Sequence, residues 1–331
     1  MTRRIVLTLG LLVGWSAGTK AQSSICPAGT PGSPAQFTQD ACQKAVDLFQ
    51  YMAPQLGGVI VGGNATLGQG GALGGLGHFT VGLRVNVIQG SVPRLNDPNV
   101  FPVATGARAS TFFTSDTPLP MPMLDGAVGL YGGYPIGLTN ILALDGLVSA
   151  SYVPKYTQSN VTIDPDNPVK LGFGGRLGLL QESIITPGVS FTYLIRDLPT
   201  IALTGNSGPA TLKVTNLDEQ TRAWRFVASK NLIMFGFALG IGQDKYKSTA
   251  GANASGTLGG LTVSSTEIAV SQEMSRTNVF ADLSFIAPFF RFVLEGGQIT
   301  GGAAPFTLNQ FNGRGIVDAR LYGSLGARFV W

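Results

Sequence analysis

The chain has 331 residues, 22 Lys and Arg against 18 Asp and Glu, and only 12% charged residues, about half the ~25% usual in soluble domains. With 44% hydrophobic residues and 46 glycines, it has too little charge to cover a soluble globule of this length and is too apolar to be disordered. Three of its cations, Arg3, Arg4 and Lys20, fall in a leader segment; without them the net charge drops from +4 to +1 (4 − 3), which excludes a basic nucleic-acid footprint.

That leader is Met1–Ala21. Two arginines precede an apolar run, Ile5–Trp15, and small residues follow. This is the layout of a cleaved secretory signal peptide. A run of about 11 apolar residues is too short to cross ~30 Å of hydrocarbon as an anchor. Cleavage is expected after Ala21, with Thr19 at −3; a cut after Gly18 is the second choice.

Residues 22–75 form a head segment without strand alternation. Ala41, Ala45, Leu48, Phe49 and Met52 recur at helical spacing and predict a short helix over Phe37–Leu56, with Thr38 and Asp40 as caps and few charges (Asp40, Lys44, Asp47). Gly57–Gly77 follows, with Gly-Gly pairs at 57–58, 62–63, 70–71 and 74–75, a density suited to tight turns and close backbone packing. No phosphate-binding glycine motif is present. The only cysteines, Cys26 and Cys42, lie here; after export they are expected to pair as a disulfide. Closing a loop of about 16 residues is worth roughly 3 kcal/mol in the chain-entropy model, and two ligands make no zinc site. The head is expected either to plug a barrel or to extend into the periplasm.

From residue 76 onward the pattern changes to period two. Phe79, Val81, Leu83, Val85 and Val87 oppose Thr80, Gly82, Arg84 and Asn86; Leu142, Leu144, Val148 and Tyr152 oppose Asp145, Ser149 and Ser151. Phe173, Leu177 and Leu179 oppose Gly172, Gly174, Arg176 and Gly178. Val189, Phe191, Tyr193 and Ile195 oppose Ser190, Thr192 and Arg196, while Val279, Ala281, Leu283 and Phe285 oppose Asn278, Asp282 and Ser284. No window supplies the ~20 continuous apolar residues of a transmembrane helix: Leu232–Ile241 is too short and Gly126–Leu144 is broken by Gly132, Gly133 and Pro135. Lipid can otherwise be crossed only by a closed barrel. Turn signals at Thr186-Pro187-Gly188, Asn206–Pro209, Asp164–Pro168 and Asn312-Gly313 punctuate the strands, with close junctions near Asn231 and Ser275-Arg276. Gln89–Pro122, Thr204–Pro209 and the low-complexity Tyr246–Gly260 are expected as long loops.

The last strand alternates to its end: Leu321, Leu325, Phe329 and Trp331 on one face, Arg320, Tyr322, Ser324 and Arg328 on the other. It resembles the closing strand of bacterial outer-membrane barrels, which implies periplasmic chaperones and insertion by the barrel-assembly machinery. The expected fold is therefore all-β: a transmembrane antiparallel β-barrel of about 12–14 strands over 76–331, with a short N-terminal helical, Gly-rich plug over 22–75.

Inward-facing charges are the candidate site: Arg84, Asp145, Arg176, Arg196, Asp282, Arg291, Glu295, Arg320 and Arg328, with Lys170, Glu267, Glu273 and Asp318 as further members. Their signs nearly balance, so no ion selectivity follows. His78 is the only histidine, and His78-Phe79-Thr80 lacks the nearby serine that the outer-membrane phospholipase and lipid A deacylase families place beside theirs. Neither an enzyme, a metal site, a cofactor nor a nucleic-acid partner is expected. The layout of helical, Gly-rich head and barrel resembles the FadL-type family of outer-membrane transporters for hydrophobic compounds, although its Asn-Pro-Ala motif is replaced by Asn64-Ala65-Thr66. The resemblance implies a lumenal hatch and a small apolar solute passing an outer membrane. The alternative is a structural or adhesive barrel with a sealed lumen.

Overall fold

The computed structural model describes residues 24–158 and 160–331; the signal peptide expected over 1–21 lies outside them. Ten strands build the wall: β1 (Phe79–Pro93), β2 (Thr111–Tyr131), β3 (Ala143–Tyr152), β4 (Val169–Leu180) and β5 (Gly188–Asp197), then β6 (Ala210–Leu232), β7 (Phe235–Leu258), β8 (Ile268–Ala287), β9 (Phe290–Thr300) and β10 (Arg320–Val330). Each pairs antiparallel with its chain neighbours. β10 returns to β1 from Thr80↔Val330 to Ile88↔Tyr322. The ring is thus closed, which removes the sheet edges that hydrocarbon does not tolerate. Phe79 and Trp331 exchange the last two backbone hydrogen bonds of the seam, at 3.1 and 3.0 Å.

The wall has ten strands, fewer than the 12–14 expected. β2, β6, β7 and β8 are 21, 23, 24 and 20 residues long, whereas ~10 residues cross the hydrocarbon. The excess runs beyond it and uses chain that even spacing would assign to further strands. Two stretches expected as loops are therefore strand: β1 and β2 include Gln89–Pro93 and Thr111–Pro122, and Tyr246–Leu258 belongs to β7. Small residues suit that upper part of β7, because Ala250, Ala252 and Ala254 face inward and are buried against the head. Thr204–Ser207 likewise lies in the strand Ile201–Ser207, which with Val161–Pro165 and Tyr156–Gln158 extends the free upper edge of β6. Ser275-Arg276 is mid-strand in β8, not a junction.

The barrel has two unlike ends. At one, β6–β7 and β8–β9 are joined through only Ile233-Met234 and Pro288-Phe289, both Ile233 and Phe289 having positive φ. This turn end also holds the start of β1 and the end of β10. The other, loop end carries residues 94–110, 153–168, 259–267 and 301–319. Between them runs an outward apolar band, including Leu83, Leu124, Val148, Phe173, Phe226, Leu239, Leu283, Leu294 and Leu325, all exposed. Aromatic rings crowd its turn-end rim, where Phe289, Phe329 and Trp331 stack with centroids 6.4–6.5 Å apart. An exposed apolar cylinder with an aromatic rim matches a bilayer, not water. Among the described residues no helix is long and apolar enough to cross a membrane; the strands do the crossing.

One helix, α1 (Pro34–Val61), occupies the interior. It starts earlier and ends later than the periodicity predicts. Ser33 is the N-cap and Pro34 the first helical residue, its fixed φ suiting that position, so Thr38 and Asp40 are not caps. At the other end the helix continues through Gly57 and Gly58, where the wall leaves no room for a side chain. A Cβ would meet Glu219 Oε1 at 2.7 Å from Gly57, and Ile88 Cδ1 at 2.9 Å from Gly58. Asp40, Lys44 and Asp47 are fully buried rather than solvated. Asp40 pairs with Lys44 at 2.6 Å and accepts from the backbone of Val103 and Arg108, while Asp47 accepts from Asn309. Burial raises the Asp47 carboxyl above its ordinary range, opposed by the bonds from Asn309 and Gln43. The Cys26–Cys42 disulfide ties the preceding stretch to α1 at the loop end.

Candidate functional site: a polar collar around the head

Past α1 the chain is held by its own backbone. Gly62, at φ 61°, turns it out of the helix, leaving the last carbonyls without helical partners and at the negative end of the helix dipole. Cationic and amide side chains of four wall strands satisfy them. Asn86 of β1 donates to Val59 O (3.1 Å), Arg196 of β5 to Val61 O (2.8 Å), and Asn278 of β8 to Gly62 O (2.9 Å). Arg225 of β6 donates to Gly62 O and Gly63 O (3.0 and 3.2 Å), and Arg84 of β1 to Asn64 O (2.8 Å).

The amide groups of the same stretch meet carboxylates. Glu295 of β9 accepts from Gly63 N and Asn64 N (3.2 and 2.6 Å). Asp282 of β8, its cross-strand neighbour, accepts from the Asn64 side chain and Gly68 N (2.7 and 2.8 Å). Further along, Ser229 accepts from Gly70 N at 2.8 Å and Asp145 from Leu73 N at 3.1 Å. Arg328 donates to the Gln69 side chain at 2.7 Å. The glycines serve this arrangement by letting backbone come within reach of wall side chains. A Cβ on Gly63 would lie 2.5 Å from both Glu295 and Tyr322.

Ion pairs within the wall neutralise the collar: Arg84 and Arg196 share Asp125 (2.8 and 2.9 Å), Arg225 meets Asp244 (2.5 Å) and Arg176 meets Asp145 (2.7 Å). The structure thus brings Arg84, Asp145, Arg176, Arg196, Asp282, Glu295 and Arg328 around residues 59–73. Two other candidates stand apart. Arg320 holds loop-end backbone at Gln89 O and Gly315 O, and Arg291 bonds Asn231 in the turn-end mouth beside Gln69, Gly71 and Glu182. Glu267, Glu273 and Asp318 are exposed and do not enter the lumen. The parity of Val279 and Leu283, carried unbroken along β8, puts Glu273 outward; the junction expected at Ser275-Arg276 is what interrupts that register.

Arg225, Asp125 and Asp244 were not among the residues singled out from sequence. Arg225 had a signal, since it sits between the apolar outward Trp224 and Phe226. Asp244 had none, since its neighbours Gln243 and Lys245 are polar as well. His78 is exposed at the turn end, its amide donating to Gly75 O. Among the described residues no three or more His, Cys, Asp or Glu stand close enough together to hold a metal.

The closed ring, apolar exterior and filled lumen define a transmembrane β-barrel with an internal N-terminal segment. No protein-family profile matches the sequence, and no curated protein sequence does. Solved structures give weak likenesses of fold. A deltaS2S3 mutant of the TodX monoaromatic hydrocarbon channel is 10% identical, covers 76% of this chain and 89% of its own, and has a TM-score of 0.29. The Pseudomonas putida toluene transporter TodX follows at 11% identity, 76% and 88% coverage and TM-score 0.27. An anion-selective porin from Comamonas acidovorans stands at 11%, 77%, 98% and 0.16. These neighbours are channels and a porin; at such scores they add nothing to what the strand pairing establishes.

Proposed function

We propose that the protein is an outer-membrane channel for small apolar solutes, with residues 22–75 as a displaceable plug. The observation that carries this reading is the way the lumen is filled. About eight strands enclose a lumen that wall side chains fill unaided; this wider ring is filled by a separate segment. That segment is held at residues 59–73 through hydrogen bonds to its backbone, bonds that water can replace when it shifts. Beside it lies a small cavity against Ala65 and Leu67, where Gly82 and Gly326 thin the inner wall and the outward Leu83 and Ala327 stand behind. Its apolar members, Ala65, Leu67, Leu83, Val293 and Ala327, would meet an apolar solute, beside the ion-paired Arg84 and Asp125 and the Arg328 side chain. Export through the signal peptide and insertion by the assembly machinery acting on Leu321, Leu325, Phe329 and Trp331 complete the proposal.

The test compares the full-length chain with one lacking residues 22–75, and with Leu67→Ala, which removes side-chain atoms from the cavity lining and widens it. Entry of an apolar dye into cells with an intact outer membrane is expected to rise with the full-length chain and to rise severalfold further with Leu67→Ala. Head deletion is expected to open ionic conductance in planar bilayers. Dye entry no faster than in cells without the protein, together with no conductance after deletion, would overturn the proposal. That outcome supports the sealed structural barrel, which the backbone hydrogen bonds holding residues 59–73 to the wall favour.

A further inference from the structure

The outer face of β6–β8 changes chemistry at one level. Below it the outward residues are Trp224 and Phe226 on β6, Leu239 and Ile241 on β7, and Val279 and Leu283 on β8. Above it they are Gln220 and Arg222, then Lys245 and Lys247, then Ser275 and Glu273. Register brings these together: Arg222 lies opposite Lys245, Gln220 opposite Lys247, and Lys247 opposite Glu273. Gln220, Arg222, Lys245, Lys247 and Glu273 line a groove of about 220 Å³. Lys245 reaches Glu273 at 2.6 Å. Among the described residues, Arg222 and Lys247 form no ion pair.

The height of this groove is informative. Lys245 is ten residues from the start of β7 and Arg222 ten from the end of β6. Ten residues are about 33 Å of strand, or ~25 Å along the axis at a tilt of ~40°, which is the thickness of a barrel's apolar band. The cations therefore stand at the headgroup level of the leaflet on the loop side, with Trp224 just beneath them as an interfacial aromatic.

We propose that this groove binds a phosphate of the phosphorylated glycolipid that forms the outer leaflet of a Gram-negative outer membrane. An Arg fork and two ammonium groups converge on one concavity, the donor set that phosphate oxygens require, and basic pockets at a membrane surface take anionic headgroups. A lipid fits better than a soluble anion because the outer face turns apolar just below the groove, at Trp224 and then, beyond Gln243, at Phe226 and Ile241, and would meet its acyl chains. Glu273 competes for Lys245, so lipid phosphate binds partly by displacing it. The inference rests on the outer-membrane placement and loop-end-outward orientation, and is independent of transport.

Native mass spectrometry of the detergent-solubilised protein tests it, using bis-phosphorylated lipid A, dephosphorylated lipid A and inorganic phosphate as probes. Heat-modifiable gel migration checks that every variant is a folded barrel. Lipid A is expected to bind the full chain, at least tenfold more weakly after Arg222→Gln, Lys245→Gln and Lys247→Gln together, and unchanged after Lys213→Gln. Glu273→Gln is expected to tighten binding, a sign that mere loss of structure would not give. Equal retention by the triple variant, equal binding of dephosphorylated lipid A, or displacement by inorganic phosphate at equal concentration would each overturn the proposal.

Discussion

Asp244 takes its partner from the neighbouring strand. Arg225 lies 2.5 Å away, neither side chain touches solvent, and the same guanidinium donates to Gly62 and Gly63 of the head. Removing one member of a buried pair typically costs about 3–5 kcal/mol, because the other charge is left uncompensated. Arg225→Met should therefore lower the temperature at which the barrel loses its folded gel mobility and expose residues 59–73 to protease. Arg225→Lys should recover only part, since an ammonium cannot reach both carbonyls as a planar fork does. Arg225→Met with Asp244→Leu should recover more than Arg225→Met alone; equal loss in both would show that the carbonyl bonds, not the ion pair, dominate. Inward charges flanked by apolar outward residues, such as Arg84 and Arg328, could be read from sequence by alternation alone. Asp244 could not, because β7 is polar on both faces at that height.

The pattern of β2 has a consequence at the scale of the element. Pro118, Pro120 and Pro122 alternate along it, and from Thr114 to Pro122 no strand pairs with β2 on the side away from β1. The Phe79–Trp331 bonds and the Gly129 N to His78 O bond show that even-numbered residues of β2 aim their nitrogens at that free side. The prolines thus delete three donors from an open edge, a device against edge-to-edge pairing. Replacing all three by Val restores the donors and is expected to produce higher-mass species in light scattering after size exclusion. Mass equal to that of the parent protein would refute this role. Sequence alone shows prolines in this stretch and suggests a loop, because proline is depleted in strands; only the pairing reveals a strand with a blunted edge. In the same way Tyr246–Leu258 lacks strand propensity; pairing with β6 and β8, and α1 against Ala250, Ala252 and Ala254, keep it extended, tertiary contacts no local pattern carries.

At the scale of the whole molecule, the head runs through the barrel from one end to the other. Its first described residues bond Gln43 of α1 beside the 94–110 and 301–319 loops, and its last, Gly75, packs on Gly129 and Gly132 at the turn end. The period-two pattern disclosed the wall and the shift at residue 76 disclosed the head. The direction of threading was not legible, since it depends on which wall carbonyls and charges meet residues 59–73. With an even number of strands, both ends of the wall lie at the turn end, so a loop-end-outward barrel carries residues 24–33 to the cell exterior. Thr30–Gly32 is exposed at that end and Ile184-Ile185 at the other, which makes the arrangement measurable. An epitope inserted after Thr30 should be labelled by antibody on intact cells. One inserted between Ile184 and Ile185 should be labelled only after the outer membrane is permeabilised. The reverse result would turn the barrel over, and labelling of both only after permeabilisation would mean that the head begins on the periplasmic side. Reduction should not change the pattern but should loosen its first step. Opening the Cys26–Cys42 link releases a loop worth roughly 3 kcal/mol in the chain-entropy model, so Cys26→Ser with Cys42→Ser should make residues 24–33 more sensitive to added protease while the collar at 59–73 stays protected.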